Sequence, residues 1–432
     1  MSTVLLAVIA VILCILFRIL NVNSQSQKPV IYGKDKTFIE NILSISSFLH
    51  EPYMPTRLWG FSGHVQTILH SLIGRVRCPW PIGARISLVL PDRSTLTYDL
   101  YEPVGSEHED DVTVAICPGI GNTSESVYIR TYVHYSQCHG YRCAVLNHIG
   151  CLNSVPVTGS RIFSYGHTDD FDYMVQNLLD RYPSTKLVLV GFSLGGNLIT
   201  KYLCEEDKHR PTNIVGGISI CQGYNAIDNM VYLLQWQNFR RFYLYVMTDN
   251  YRNIITRHKR MLLSHEVKTR YNLDEKTIIA AGTLPDLDEA YSRKVHGFDS
   301  VADLYRWSSS AFYLDKLKTP MIFLNARDDP IVPEPMLPLI REFVSSKDKS
   351  MYLELAHGGH LGFYEGGLIF ANPVTWLDRA LVSLVGGLVM SDSKCTKKTQ
   401  DETFNVAEEE PDLIRSTIMQ PVPTLSPANL KT

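Results

Sequence analysis

Residues 186–196 read KLVLVGFSLGG, and this run constrains the fold more than any other part of the chain. Leu187-Val188-Leu189-Val190 has the length and apolar character of a buried strand, and a helical pattern starts at Leu194. Between them stands Gly191-Phe192-Ser193-Leu194-Gly195. A strand that turns directly into a helix holds the apex residue in a strained backbone conformation. Side chains two positions to either side of the apex would collide with the strand or helix, and glycine at both positions removes the collision. Gly-x-Ser-x-Gly in this setting is the nucleophile elbow, with its serine at the carboxyl end of a sheet. Ser193 is the candidate nucleophile; an ordinary turn carrying an exposed serine is the plain alternative.

A chain of 432 residues with 45% hydrophobic content can bury a large core, and its length suits an α/β fold with insertions. The formal net charge of −3 and the lack of a Lys/Arg block give no electrostatic case for nucleic acid. Nine cysteines without a C-x-x-C pair or regular spacing do not form a disulfide framework. Cys117, Cys143 and Cys221 fall on strand-like apolar runs, where buried thiols are common.

Residues 4–17 are uninterruptedly apolar. The segment 1–20 is just long enough for a spanning helix, which takes ~20 residues. It predicts a single-pass membrane anchor, because Arg18 can snorkel at one end and no basic region precedes the apolar run. A cleaved signal peptide ending near Val22-Asn23-Ser24, or a helix lying on the rest of the protein, are the alternatives. Arg18, Lys28, Lys34 and Lys36 follow the segment, which by the positive-inside rule puts the remainder in the cytosol.

Residues 21–55 read as a polar linker followed by an amphipathic stretch over 38–49. Residues 56–222 alternate between strand and helix: a hairpin of 86–90 and 96–101, strands at 112–117 and 142–147, helices near 125–138 and 168–181, then the elbow, its helix 194–204 and a strand at 215–221. Across 223–315 the alternation gives way to helical, aromatic-rich sequence, including Trp236, Phe239 and Tyr243. That is too long for a loop and predicts a helical cap over the carboxyl edge of the sheet; a helical layer packed elsewhere is the alternative. Strands resume in 316–388, at 321–324 and 351–355. Residues 389–432 are polar and predict a disordered tail. The expected architecture is α/β, a mostly parallel central sheet with helices on both faces and a helical cap insertion.

A serine hydroxyl needs an adjacent base, itself held by an acid. In strand-turn-helix enzymes the chain order is Ser, Asp/Glu, His. Both partners follow predicted strands here: Asn325-Ala326-Arg327-Asp328-Asp329-Pro330 and Ala356-His357-Gly358-Gly359-His360. Pro330 biases its predecessor to an extended conformation, which favours Asp329 over Asp328. Two glycines let a loop carry His360 over the serine, with His357 as the other choice. A metal pair of His357 and His360 lacks a nearby carboxylate or cysteine to complete it. For the oxyanion hole the amides of Leu194 and of Ile120, in Cys117-Pro118-Gly119-Ile120-Gly121-Asn122, are the candidates; a plain glycine turn is the alternative. His167 and Asp172 fit H-x-x-x-x-D, a spacing that chance also supplies, and Asp170 and Asp172 suit a helix start. Asn122-Thr123-Ser124 is a glycosylation sequon. His64, in Gly63-His64-Val65-Gln66-Thr67, reads as a structural histidine.

Those segments, with Gly140-Tyr141-Arg142-Cys143-Ala144-Val145-Leu146-Asn147-His148 and His357-Gly358-Gly359-His360-Leu361-Gly362-Phe363, resemble the AB hydrolase 4 family of the α/β-hydrolase superfamily over about residues 50–385. The resemblance implies an α/β-hydrolase fold and a membrane-anchored serine hydrolase of monoacylglycerols and other lipid esters. It implies a triad of Ser193, Asp329 and His360, and ester hydrolysis on such a triad requires no metal or organic cofactor. It also implies a single-pass type II arrangement with a lumenal or outside domain, which conflicts with the charge bias and suits the sequon at Asn122. Many relatives carry Arg where this chain has Ile149. Another acyl-transfer activity (phospholipase, thioesterase or acyltransferase) and a non-catalytic lipid-binding protein are the rival functions.

Overall fold

The computed structural model describes residues 3–21, 23–45, 47–74, 79–104, 111–206, 210–400 and 418–421. Its strands are β1 (Val30–Tyr32), β2 (Ala84–Val89), β3 (Thr95–Tyr101), β4 (Val112–Cys117), β5 (Arg142–Asn147), β6 (Lys186–Phe192), β7 (Ile214–Ile220), β8 (Met321–Ala326), β9 (Ser350–Leu355) and β10 (Ile418–Pro421). They join in one sheet in the order β1-β9-β8-β7-β6-β4-β5-β3-β2-β10. From β5 through β4, β6, β7 and β8 to β9 the neighbours are parallel. Antiparallel β1 closes one edge, and β3, β2 and β10 the other.

The helices that bear on the site are α1 (Thr3–Leu20), α2 (Lys36–Leu43), α3 (Gly63–Leu72), α4 (Val127–Cys138), α5 (Asp169–Arg181), α6 (Leu194–Cys204), α7 (Ala226–Leu233) and α8 (Arg240–Arg257). A closing helix runs over Trp376–Gln400. Parallel strands covered on both faces are apolar on both faces. Along β6, Leu187 and Leu189 pack with Phe171 and Met174 of α5 and Tyr202 of α6. Val188 and Val190 face the opposite layer, with Tyr132 of α4 and Leu381 and Val385 of the closing helix. Full burial of each such aliphatic side chain contributes about 1.5–3 kcal/mol, so β6 is held from both sides.

From β4 the chain crosses to β5 on one flank and returns to β6 on the other. The crevice at such a switch point, beyond the carboxyl ends of the strands, is where α/β sheets bind ligands. Residues 118–126 and the turn at Ser193 both emerge there.

Three segments depart from the sequence expectations. Part of the 21–55 linker is strand β1, paired with β9 through Val30 and Glu354; three residues carry no periodicity, and only the open edge of β9 recruits them. The closing helix passes Val389 to reach Gln400, and β10 pairs with β2; the rest of the expected tail lies outside the described residues. Helix α1 exposes Val4, Leu6, Val11 and Phe17. Yet among the described residues no helix is long and apolar enough to cross a membrane. At ~1.5 Å per residue, α1 reaches about 27 Å, short of the ~30 Å hydrocarbon core.

Candidate active site

Ser193 has φ 53° and ψ −114°, a backbone region that costs a side-chain-bearing residue on the order of 1–3 kcal/mol. The fold holds it there: its N–H donates to the Ile220 carbonyl at 2.7 Å. A Cβ on Gly195 would lie 1.9 Å from the Cys117 carbonyl oxygen, and one on Gly191 would lie 2.3 Å from that of Gly195. These approaches pull the end of β4 against the first turn of α6.

The loops after β8 and β9 converge on the same point. His360 Nε2 lies 2.8 Å from Ser193 Oγ, and His360 Nδ1 lies 2.7 Å from Asp329 Oδ2. With Nδ1–H directed at the carboxylate, Nε2 is left to accept the serine proton. Asp329 Oδ1 accepts the N–H groups of Ile331 and Val332 at 2.7 and 3.0 Å, which locks its rotamer. The backbone N–H of His360 donates to Thr67 Oγ1 at 2.8 Å. Asp328 turns the other way: its Oδ1 accepts the Gly359 N–H at 2.9 Å, and its Oδ2 lies 3.4 Å from His357 Nδ1. Burial pushes the Asp328 carboxyl up from its ordinary value. The two Asp-His alternatives are therefore both built, and one of them reaches Ser193.

Ile120 and Leu194 line the same cavity as Ser193. A Cβ on Gly119 would sit 3.5 Å from that of Ser193, so the loop after β4 passes close over the serine. Asn122 Nδ2 donates to the Ile120 carbonyl at 2.8 Å, and its Oδ1 accepts from Ser126 at 3.1 Å. The sequon asparagine thus braces the loop from within.

The bracing extends beyond the loop itself. His148 Nε2 is hydrogen-bonded to the Pro118 carbonyl at 3.0 Å, and burial lowers its pKa. Asn147 accepts from Ser124 N–H at 2.9 Å and donates to Asp99 at 3.2 Å. Asp99, fully buried, is held by Arg85 through two bonds of 2.8 Å. The Asn147-His148 pair explains why that motif sits beside an active-site loop, whereas Asp99 and Arg85 are evident only in three dimensions. Ile149 packs in the core with Ile162 and Phe163.

The helical block over 223–315 roofs the serine. A cavity open at its mouth is walled by Met230, Leu233, Met247, Leu284, Ile331 and Val332. Its walls are apolar, as those of small-ligand sites are. Tyr165 and Tyr305 line it too and donate to the buried Asp288 carboxylate at 3.2 and 2.7 Å. His64 is hydrogen-bonded to Tyr243 of α8 at 2.8 Å, joining α3 to the roof. Burial, helped by Arg240, lowers its pKa.

The H-x-x-x-x-D spacing does not make a site. His167 lies 3.2 Å from Asp169, and Asp172 accepts from Tyr202 at 2.9 Å, so the two ends serve different partners. Among the described residues, Cys221, Asp329 and His360 form the one group with metal-ligand spacing. His360 Nδ1 and Asp329 there already bond each other, and burial raises the Cys221 thiol well above its ordinary value. Cys117, Cys143 and Cys204 are also buried free thiols.

The family model described as the alpha/beta hydrolase fold matches residues 112–367, which contain β4 to β9 together with Ser193, Asp329 and His360. The chain belongs to the alpha/beta hydrolase fold family. Within that family it is similar to the Abhydrolase domain-containing protein 2 of Drosophila melanogaster, with 62% identity over 90% of this chain and 98% of the relative. It is similar to the human protein named Monoacylglycerol lipase ABHD2 at 40% identity, over 89% of this chain and 91% of that one. The mouse protein of the same name is 39% identical over 92% and 95%. Such coverage takes in the helical block over 223–315 as part of the shared sequence.

Proposed function

We propose that this alpha/beta hydrolase is a serine hydrolase of lipid esters, acting on monoacylglycerol and releasing a fatty acid and glycerol. The observation that carries the reading is the unbroken line Ser193 Oγ, His360 Nε2, His360 Nδ1, Asp329, with steps of 2.8 and 2.7 Å. Ser193 attacks the ester carbonyl while His360 takes its proton and then delivers it to the departing glycerol oxygen. Asp329 orients His360 and stabilises the imidazolium. The Ile120 and Leu194 amides hold the oxyanion, a contribution of about 3–4 kcal/mol per donor in other hydrolases. Water then attacks the acyl-enzyme, with His360 as base, and frees the acid.

The apolar cavity supports a lipid acyl chain as the bound part, and the relatives named monoacylglycerol lipase support glycerol as the leaving group. Helix α1, with its exposed apolar side chains, is proposed to attach the enzyme to the membrane that holds its substrate. Flotation of full-length protein with vesicles, lost on removing residues 1–20, tests the attachment. A glycosidase-sensitive mobility shift abolished in Asn122→Gln tests a type II orientation.

The activity is tested by fluorophosphonate labelling and by product analysis from monoacylglycerol, acyl-CoA and lysophospholipid side by side. Labelling that is absent in wild type, or unchanged in Ser193→Ala, leaves a lipid-binding protein instead of an enzyme. A product spectrum led by the thioester or the phospholipid reassigns the substrate and keeps the mechanism.

A further inference from the structure

The segment that follows α1 reaches the loops that carry Asp329 and His360. Ser24 Oγ lies 2.9 Å from His357 Nε2, and Gln27 Oε1 accepts from Arg327 Nη2 at 2.8 Å. Asn21 Nδ2 donates to the Phe61 carbonyl at 3.0 Å, and the Phe61 ring meets His357 edge-on with centroids 5.3 Å apart. His357 is 6% exposed. Its other nitrogen faces Asp328 at 3.4 Å, an ion-pair distance looser than the 2.7 Å between His360 and Asp329. Ser24, His357 and Asp328 thus repeat the order of groups in Ser193, His360 and Asp329, with Asp328 next to Asp329 and His357 three residues before His360.

Two bonds cross the gap between the loops after β8 and β9. One joins Asp329 to His360; the other joins Asp328 Oδ1 to the Gly359 N–H at 2.9 Å. The second bond depends on how the Asp328 carboxylate is turned, and His357 faces its remaining oxygen. His357 Nδ1 faces Asp328 Oδ2 at 3.4 Å as an ion-pair contact without hydrogen-bond geometry, and His357 Nε2 is at hydrogen-bond distance from the Ser24 hydroxyl. Gly359, at φ 56°, leaves no slack, because a Cβ there would lie 2.4 Å from the Gly63 carbonyl oxygen.

We propose that Ser24, His357 and Asp328 form a positioning relay through which the segment after α1 holds the Asp329–His360 pair in register with Ser193. The proposal rests on the hydrolase reading above. Without the Ser24 hydroxyl, a buried imidazole nitrogen loses its partner and the ring turns to find another, releasing Asp328 and with it Gly359. His360 follows Gly359 directly, so the error is passed to the base.

The test uses full-length protein, p-nitrophenyl butyrate turnover, the rate of fluorophosphonate labelling of Ser193, and thermal unfolding. Ser24→Ala is expected to lower kcat and the labelling rate together by about 5- to 20-fold, since small misplacements of a catalytic group cost up to ~100-fold. KM and Tm stay at wild-type values, and Ser24→Thr, which keeps the hydroxyl, restores the rate to within about twofold. Turnover by Ser24→Ala at the wild-type rate overturns the relay. So does a loss that tracks a falling Tm or that Ser24→Thr fails to restore. A wild-type protein that neither labels nor turns over overturns the hydrolase reading itself, and the relay with it.

Discussion

Gly63 sits so close to Asp328 that a Cβ on the glycine would lie 1.9 Å from the aspartate's carbonyl oxygen. The first turn of α3 is thereby pressed against the residue before Asp329. Thr67, one turn further along, accepts the backbone N–H of His360 at 2.8 Å. One short helix therefore sets both loops that face Ser193.

Gly63→Ala is expected to force those loops apart. Overpacking of this kind costs about 1–3 kcal/mol of stability. Because Asp328 precedes Asp329, esterase activity should fall by on the order of 100-fold. Denaturant midpoints and initial rates on the purified variant read both effects. An unchanged rate would separate α3 from the acid loop.

Asp329→Asn should fold normally, since an Asn oxygen can still accept the Ile331 and Val332 N–H groups, bonded now at 2.7 and 3.0 Å. Its amide, however, presents a donor to His360 Nδ1 and stabilises the wrong tautomer. A fall in kcat of about 10⁴-fold is expected, the size seen for the same change in other serine hydrolases. Circular dichroism alongside kcat distinguishes this outcome from unfolding.

Asp99→Ala strips Arg85 of its two 2.8 Å bonds while the guanidinium stays buried, with Glu125 at 3.0 Å as its remaining charged partner. Breaking a buried pair from one side costs about 3–5 kcal/mol. The loss should appear in the denaturant midpoint, and Arg85→Met in the same chain should recover part of it.

Asp288 gives a pH signature. Burial raises its carboxyl from 3.8 to about 6, against the pull of hydrogen bonds from Ser292, Tyr305 and Tyr165. The folded state then holds this proton more tightly than the unfolded state does. Stability therefore falls as pH rises from about 4 to about 6 and levels off above that, by about 3 kcal/mol in total. Asp288→Asn removes the titration. Denaturant midpoints at pH 4.5 and pH 7 should show the variant gaining on wild type at the higher pH; an equal difference at both pH values counts against the assignment.

Much of this was legible in the residues. The strands β4 to β9 are largely apolar, and each boundary falls within a few residues of its sequence expectation, because burial on both faces leaves little ambiguity of pattern. Strand β1 escaped notice because three residues have no period. Asp99 and Arg85 escaped because a buried ion pair between neighbouring strands, Arg85 opposite Asp99 in the β2–β3 register, has no signature along the chain. The apolar run of α1 was plain, and the helix over Thr3–Leu20 ends where the expected segment 1–20 ends.

By itself the sequence determined the turn at Ser193. Glycines at 191 and 195 are a local steric requirement of a strand entering a helix, and the order serine, aspartate, histidine is a property of the chain. Which aspartate and which histidine meet the serine was decided only by the tertiary structure. Asp328 and Asp329 leave the same strand end in opposite directions, and His357 and His360 leave the same loop. Contacts from distant parts of the chain, Gly63 against Asp328, Thr67 to the His360 N–H and Ser24 to His357, choose between them. No spacing along one segment encodes the placement of another three hundred residues away.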